Sequence, residues 1–327
     1  MRPYYAGPPS DHFDGARFFT PGPVAARPAS SFLRWRLSRA PAPWPKSVPS
    51  PFRDAPPECV EGLRICLIGH ASLLIQADRL NILVDPVFSM RVGPFGRFGP
   101  KRVNAPGVAF DDLPPIDAVL ITHAHYDHLD LASLRRLQAT HRPRFLVPLG
   151  VDEILRRGGV TGAKAHDWGG RAALSESVSA RLTPARHWSA RTPFDRNRSL
   201  WCGFLIEARA GKAYVAGDTG YGDGAFFRAL RETHGAPDVA VLPIGAYAPR
   251  WFMAPQHVDP REALAILEAC GAAQGLGVHW GTFNLSDEGP DDPAVELAEA
   301  LRAKGVAPER FLALRPGQAW TRDLSTR

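Results

Sequence analysis

The stretch VLITHAHYDHLD, residues 119–130, sets His123, His125, Asp127 and His128 in the spacing HxHxDH directly after an apolar run. IDAVLIT reads as a short buried strand, and LDLASLRRLQAT has helical apolar spacing at Leu129, Leu131, Leu134 and Leu137. The four polar side chains therefore fall on a strand-to-helix loop, where alternate side chains can be turned onto one point. Neutral imidazole and carboxylate are good ligands for zinc and similar divalent ions. The pattern predicts a metal site rather than a solvated polar loop. Four ligands from one short loop cannot all reach a single ion, so the loop invites a second ion and ligands from elsewhere. Three candidates also follow apolar runs: His187 after RLTPAR, Asp218 after AYVAG and His279 after GLGV. Each is weak alone. Together they constrain the chain to gather its strand ends on one rim.

The remaining composition allows such a fold and narrows its setting. The 327 residues are 45% hydrophobic and 22% charged, enough to bury a sizeable core. A net charge of +6 without a long Lys/Arg block suits an anionic substrate or surface. It offers no contiguous basic track, so no nucleic-acid partner is expected. Cys59, Cys66, Cys202 and Cys270 form no CxxC pair and read as buried thiols of a reducing compartment. The start has no signal-peptide h-region, and no apolar run approaches the roughly 20 residues of a membrane span. A cytoplasmic protein, at most peripheral on a membrane, is expected.

Residues 1–58 differ from the rest. They are dense in proline yet carry Tyr4, Tyr5, Phe18, Phe19, Phe32, Trp35 and Trp44, so they read as an extended arm lying on the body. SFLRWRLSR, with Leu33, Trp35 and Leu37 alternating with Arg34 and Arg36, reads as a strand or arm face. It would pack on the body or dock on an anionic membrane. Residues 59–327 read as one layered α/β domain of two sheets faced by helices. LRICLIGHASLLIQ and RLNILVDPVF are expected to form a hairpin, with His70 a core or near-site histidine.

THAHYDHLD, GDTGY and HWGTF resemble the metallo-β-lactamase superfamily, and PIGAYAPRWFM followed by QHVDP resembles, more narrowly, the N-acylphosphatidylethanolamine-hydrolysing phospholipase D family. The resemblance implies an αββα sandwich and a binuclear zinc hydrolase. It puts His123, His125 and His187 on one Zn2+, and Asp127, His128 and His279 on the other. Asp218 would bridge them, and Asp127 and Asp218 would be the catalytic carboxylates. A metal-bound hydroxide would cleave a phosphodiester, and a homodimer is implied. Gln256, His257 and Tyr126 become candidates for substrate contact. Asp85 either orients a zinc-bound histidine or is a strand-end turn carboxylate. Tyr247, Arg250 and Trp251 read as core more than pocket, and Lys101 and Arg102 as solvated surface at least as readily as phosphate contacts. The same cluster could instead hydrolyse a lactone, an amide or a soluble phosphodiester, since fold does not fix function. A non-catalytic metal-dependent binding protein is the third alternative.

Overall fold

The computed structural model describes residues 3–22 and 30–322, leaving aside the side chains of Ser30 and Phe32. Its strands are β1 (Leu63–Gly69), β2 (Ser72–Ala77), β3 (Leu80–Val84), β4 (Ala118–Leu120), β5 (Arg144–Pro148), β6 (Lys164–His166), β7 (Arg171–Ala173), β8 (Ser179–Thr183), β9 (Gly203–Ala208), β10 (Gly211–Val215), β11 (Val239–Pro243), β12 (Gln274–Val278), β13 (Phe311–Ala313) and β14 (Ala319–Thr321). They form two seven-stranded sheets, in the orders β14-β1-β2-β3-β4-β5-β6 and β13-β12-β11-β10-β9-β8-β7. The principal helices are α1 (Ser30–Ser38), α2 (Leu131–Thr140), α3 (Val151–Arg157), α4 (Ala225–His234), α5 (Arg250–Met253), α6 (Pro260–Cys270) and α7 (Asp292–Ala303).

Strand composition explains the layering. In β1, Leu63, Ile65 and Leu67 face the space between the sheets, where they meet Leu182, Phe204, Val215 and Val241. Cys66 and Ile68 of the same strand point outward, into a core shared with Leu134 and Leu137 of α2 and Ile154 and Leu155 of α3. In the second sheet, Val239 and Val241 point inward, while Ala240 and Leu242 pack under α4, α6 and α7 with Phe227, Leu264 and Leu301. Strands buried on both faces read as continuous apolar runs, and each fully buried Leu, Ile or Phe contributes about 1.5–3 kcal/mol. The fold is the two-sheet sandwich between helical layers that the sequence implied.

Three elements differ from the sequence expectations. LRICLIGHASLLIQ is two strands, because His70 adopts φ 56° and reverses the chain between β1 and β2. SFLRWRLSR is the helix α1, not a strand. In this proline-free window a helix satisfies its own backbone donors. Arg102 is buried at 3% exposure, with its guanidinium 5.5 Å from the Phe283 ring centroid, so it is not a solvated surface cation. Elsewhere α2 begins at Leu131, two residues later than the apolar spacing suggested, because Asp130 caps it by accepting from the Ala132 N–H.

The arm touches the body at several points. Phe13 and Phe18 are buried with Trp201, and Trp44 Nε1 donates to the Glu288 carbonyl at 3.0 Å. Trp35 stacks on Phe252 of α5 at 4.8 Å and 6°. Phe19 is 40% exposed, and the expectation for the Phe32 side chain falls outside the described residues. Among the described residues, no helix is long and apolar enough to cross a membrane.

Candidate metal centre

Three strands of each sheet deliver polar side chains to one rim. In the first sheet, His70 follows β1, Asp85 follows β3, and the loop of His123, His125, Asp127 and His128 follows β4. In the second, His187 follows β8, Asp218 follows β10 and His279 follows β12. Pairing makes all six strands point the same way within their sheets. Carboxyl ends of strands are where such sheets place their ligands. The two sheets touch at Gly217, which adopts φ +62°. A Cβ there would lie 3.0 Å from Cβ and Cγ2 of Thr122, so only glycine lets Asp218 approach the loop this closely.

Two quartets result, His123, His125, His187 and Asp218 in one and His70, Asp127, His128 and His279 in the other. Within each, the ligand atoms lie within 4.8 Å of one another. In the first, His123 Nε2 and His187 Nε2 stand 2.9 Å and 3.1 Å from His125 Nδ1. In the second, His128 Nε2 and His279 Nε2 are 3.1 Å apart, and His70 Nε2 is 3.0 Å from Asp127 Oδ2. Asp218 lies between them: Oδ2 is 3.7 Å from His187 Nε2 and 3.3 Å from His128 Nε2, and Oδ1 is 3.1 Å from His279 Nε2.

Neighbouring groups fix which ring nitrogens face inward. Asp85 Oδ2 accepts from His128 Nδ1 at 2.7 Å and from the Thr122 hydroxyl at 2.6 Å, and Oδ1 accepts from the Thr122 N–H at 2.7 Å. With its proton given to Asp85, the Thr122 oxygen accepts from His123 Nδ1 at 2.9 Å. His187 Nδ1 donates to the Gln256 carbonyl at 3.0 Å. These contacts leave Nε2 of His123, His128 and His187 aimed at their neighbours, as a lone pair on His123 and His187. Lone pairs facing one another in a buried site fit a divalent cation between them, and the nitrogen and oxygen donor set suits zinc-like ions. The sequence did not reveal Thr122 as the relay from Asp85 to His123.

Burial and charge separate the two quartets. Burial pushes His125 down to about 4 and His187 to about 3, and it leads the neighbouring imidazoles in holding His123 well below its ordinary value. The first quartet therefore presents neutral rings. In the second, burial works against charge, but Asp218 and the hydrogen bond to Asp127 prevail and push His279 up to about 9. His128 is raised likewise, burial being outweighed by Asp218, Asp127 and Asp85. Burial also opposes ionisation of Asp127 and Asp218, yet the facing histidines hold both carboxyls well below the usual range.

A cavity of about 640 Å³ opens onto this centre, lined by His125, Asp127, Asp218, Gln256 and His257 on the polar side and by Trp35, Val92, Trp188, Phe252, Met253 and Leu285 on the apolar side. Tyr126 also lines it, but its hydroxyl is engaged with the Arg191 carbonyl at 2.9 Å. His257, held down to about 3 by burial, keeps Nδ1 3.9 Å from Asp218 Oδ2 and without a hydrogen-bond partner among the described residues. Of the remaining sequence candidates, Tyr247 bonds Glu296, and Arg250 pairs with Glu262 and donates to the His257 carbonyl at 2.8 Å.

Metal binding to the second quartet must displace the protons on His128 and His279. At pH 7.5, uptake of zinc by the metal-free protein is expected to release proton from this pair of rings, whose affinities for it are both raised. His279 is already neutral above pH 9, so release falls and apparent affinity rises as pH climbs through that value. Calorimetry in buffers of differing ionisation enthalpy measures the release. Proton-neutral uptake at pH 7.5 would show that these imidazoles carry no protons to displace.

Comparison with known proteins agrees with this geometry. Residues 80–280 match the Beta-lactamase superfamily domain. An uncharacterised Mycobacterium tuberculosis protein is 37% identical over 280 residues, covering 84% of this chain and 72% of its own length. N-acyl-phosphatidylethanolamine-hydrolyzing phospholipase D 1 of Caenorhabditis elegans is 30% identical over 270 residues, covering 79% of this chain and 76% of that protein. Among solved structures, Igni18, a metallo hydrolase from Ignicoccus hospitalis, superposes with a TM-score of 0.59 at 22% identity, over 80% of this chain and 99% of that one, a likeness of fold. The chain is a metal-dependent hydrolase that belongs to the metallo-β-lactamase superfamily, in the family of the N-acylphosphatidylethanolamine-hydrolysing phospholipases D.

Proposed function

We propose that this chain is a binuclear phosphodiesterase of the phospholipase D type, which cleaves N-acylphosphatidylethanolamine to N-acylethanolamine and phosphatidic acid. His123, His125, His187 and Asp218 would hold one divalent ion, and Asp127, His128 and His279 the other, with Asp218 shared and zinc the expected metal. The observation that carries the reading is the cavity, whose floor is metal-capable and whose walls are apolar. A few polar groups beneath apolar walls suit a diester that carries acyl chains. The name of the C. elegans relative supports the same substrate.

When bound, two divalent ions supply Lewis acidity toward a phosphoryl oxygen and lower the pKa of a water. The chain's own residues supply the rest. Asp127 and Asp218, kept ionised by the surrounding histidines, can take up a proton at a carboxylate oxygen. His257 and Gln256 line the cavity beside Asp218 and can hold the head group. Arg196 is the one arginine or lysine among the described lining residues. It stacks 4.1 Å over Trp188, whose ring centroid is 4.3 Å from that of His125, and it favours an anionic ester.

Helix α1 supports a lipid source for that ester. Ser31 and Trp35 belong to the cavity wall, while Leu33 and Leu37 are 59% and 79% exposed. Trp251, 47% exposed, lies under the Arg34 guanidinium at 4.8 Å. Apolar side chains ringed by arginines beside a cavity mouth suit the surface of an anionic bilayer.

Zinc-loaded protein is expected to release N-acylethanolamine from lipid vesicles, with release lost on chelation and restored by zinc. Loaded protein that hydrolyses a lactone or a soluble diester but leaves the lipid intact would reject this substrate while keeping the metal centre. In a second test, the double substitution Leu33→Glu and Leu37→Glu should weaken binding to anionic vesicles about tenfold or more, by loss of two exposed apolar side chains that would enter the bilayer. Hydrolysis of a short-chain soluble diester should change less than twofold. Equal loss of both would assign α1 to folding alone.

A further inference from the structure

We infer that Arg191 is a positioning residue that clasps the HxHxDH loop into its metal-binding shape, an inference that rests on the metal centre proposed above. Arg191 Nη1 donates to the carbonyls of both Ala124 and Leu129, at 2.9 Å each. Those carbonyls stand five residues apart and bracket His125, Asp127 and His128. Inside the bracket, the His125 carbonyl accepts from the N–H groups of His128 and Leu129 at 3.1 Å and 2.8 Å, which closes a tight turn. The contact is reciprocal. Arg191 Cζ lies 4.0 Å from the Tyr126 ring centroid, and the Tyr126 hydroxyl donates to the Arg191 carbonyl.

The clasp is itself anchored. Asp195 Oδ1 accepts from the backbone N–H groups of Arg191 and Thr192 at 3.0 Å and 2.8 Å. Asp195 Oδ2 accepts from the hydroxyl of Tyr4 in the arm at 2.9 Å. Arg191 forms no ion pair among the described residues, although burial penalises its charge. A guanidinium held by carbonyls instead of a carboxylate is a costly way to pack a loop, since a buried charge needs full compensation. Both bonds leave from Nη1 while the guanidinium also stands over the Tyr126 ring, and a lysine ammonium could copy the carbonyl bonds but only poorly the aromatic contact. Arg191 also follows His187 by four residues, so one short segment carries a first-quartet histidine and the group that shapes the loop facing it.

The experiment compares full-length wild type, Arg191→Met, Arg191→Lys and Tyr126→Phe, with Leu264→Ala as a core-destabilised control remote from the loop. Each is stripped of metal, checked for folding by circular dichroism and melting, and titrated with zinc against a chelating dye. Cobalt substitution reads ligand geometry from the visible spectrum. Groups that orient metal ligands typically contribute about 10–100-fold to metal affinity. Arg191→Met should therefore weaken zinc by about that factor and alter the cobalt spectrum. Arg191→Lys should recover less than half of the loss on a logarithmic scale, Tyr126→Phe should lose several-fold, and Leu264→Ala should melt lower with zinc affinity unchanged. If Arg191→Met does not fold, Tyr126→Phe and Arg191→Lys decide the matter. Wild-type affinity and an unchanged cobalt spectrum in the folded variants would overturn the clasp and leave the metal centre standing. A wild type that binds no zinc or cobalt would overturn the metal centre itself.

Discussion

Imidazole lone pairs and carboxylate oxygens packed within about 3–4 Å of one another repel unless a proton or a cation lies between them. That constraint governs this molecule. Six strand ends from two sheets converge on a buried space of such groups, and Asp85 and Thr122 fix His128 and His123 with Nε2 facing in. Protons on His128 and His279 answer the repulsion in one quartet without metal. The other offers three neutral rings around Asp218, donors that a divalent cation can bridge.

The sandwich serves this requirement. Its strands are apolar on both faces, so the sheets can press against each other and against helices without polar interruption, and polar side chains are left to the strand ends. Positive φ at His70, Asp85 and His279 marks three of those ends, where the chain turns sharply to aim a side chain across the rim. Backbone conformations of this kind cost about 1–3 kcal/mol each and persist where the surroundings hold them. Arg191 and Asp195 support the long loop in the same way, and through Tyr4 they link it to the proline-rich arm.

The part of this arrangement carried by local pattern was legible in the sequence. HxHxDH compresses four candidates into six residues, and His187, Asp218 and His279 each follow an apolar run, so strand-end placement could be read from order alone. The apolar runs of β1 and β3 and the helical spacing of α2 were equally plain. What escaped had no local signature. Strands β6, β7, β13 and β14 are three residues each, too short to show a period, and β4, of the same length, was legible only from the apolar run around it. His70 looked like one polar residue inside a continuous strand, because nothing in LIGHASLL marks the reversal that puts it beside Asp127. Leu33, Trp35 and Leu37 alternate with arginines as a strand would, while the stacking of Trp35 on Phe252, which seats α1 on the body, belongs to the folded whole. Thr122 and Arg191 act through side-chain contacts across the fold, visible only once two sheets and a loop are in place.

Anomalous diffraction at the zinc edge, on crystals of the metal-loaded protein, tests the central claim most directly. Two peaks are predicted, one among His123, His125 and His187 and one among Asp127, His128 and His279, with Asp218 reaching both and an open side toward the cavity. A single ion enclosed on all sides by protein atoms, or side chains splayed apart with no bound ion, would contradict it.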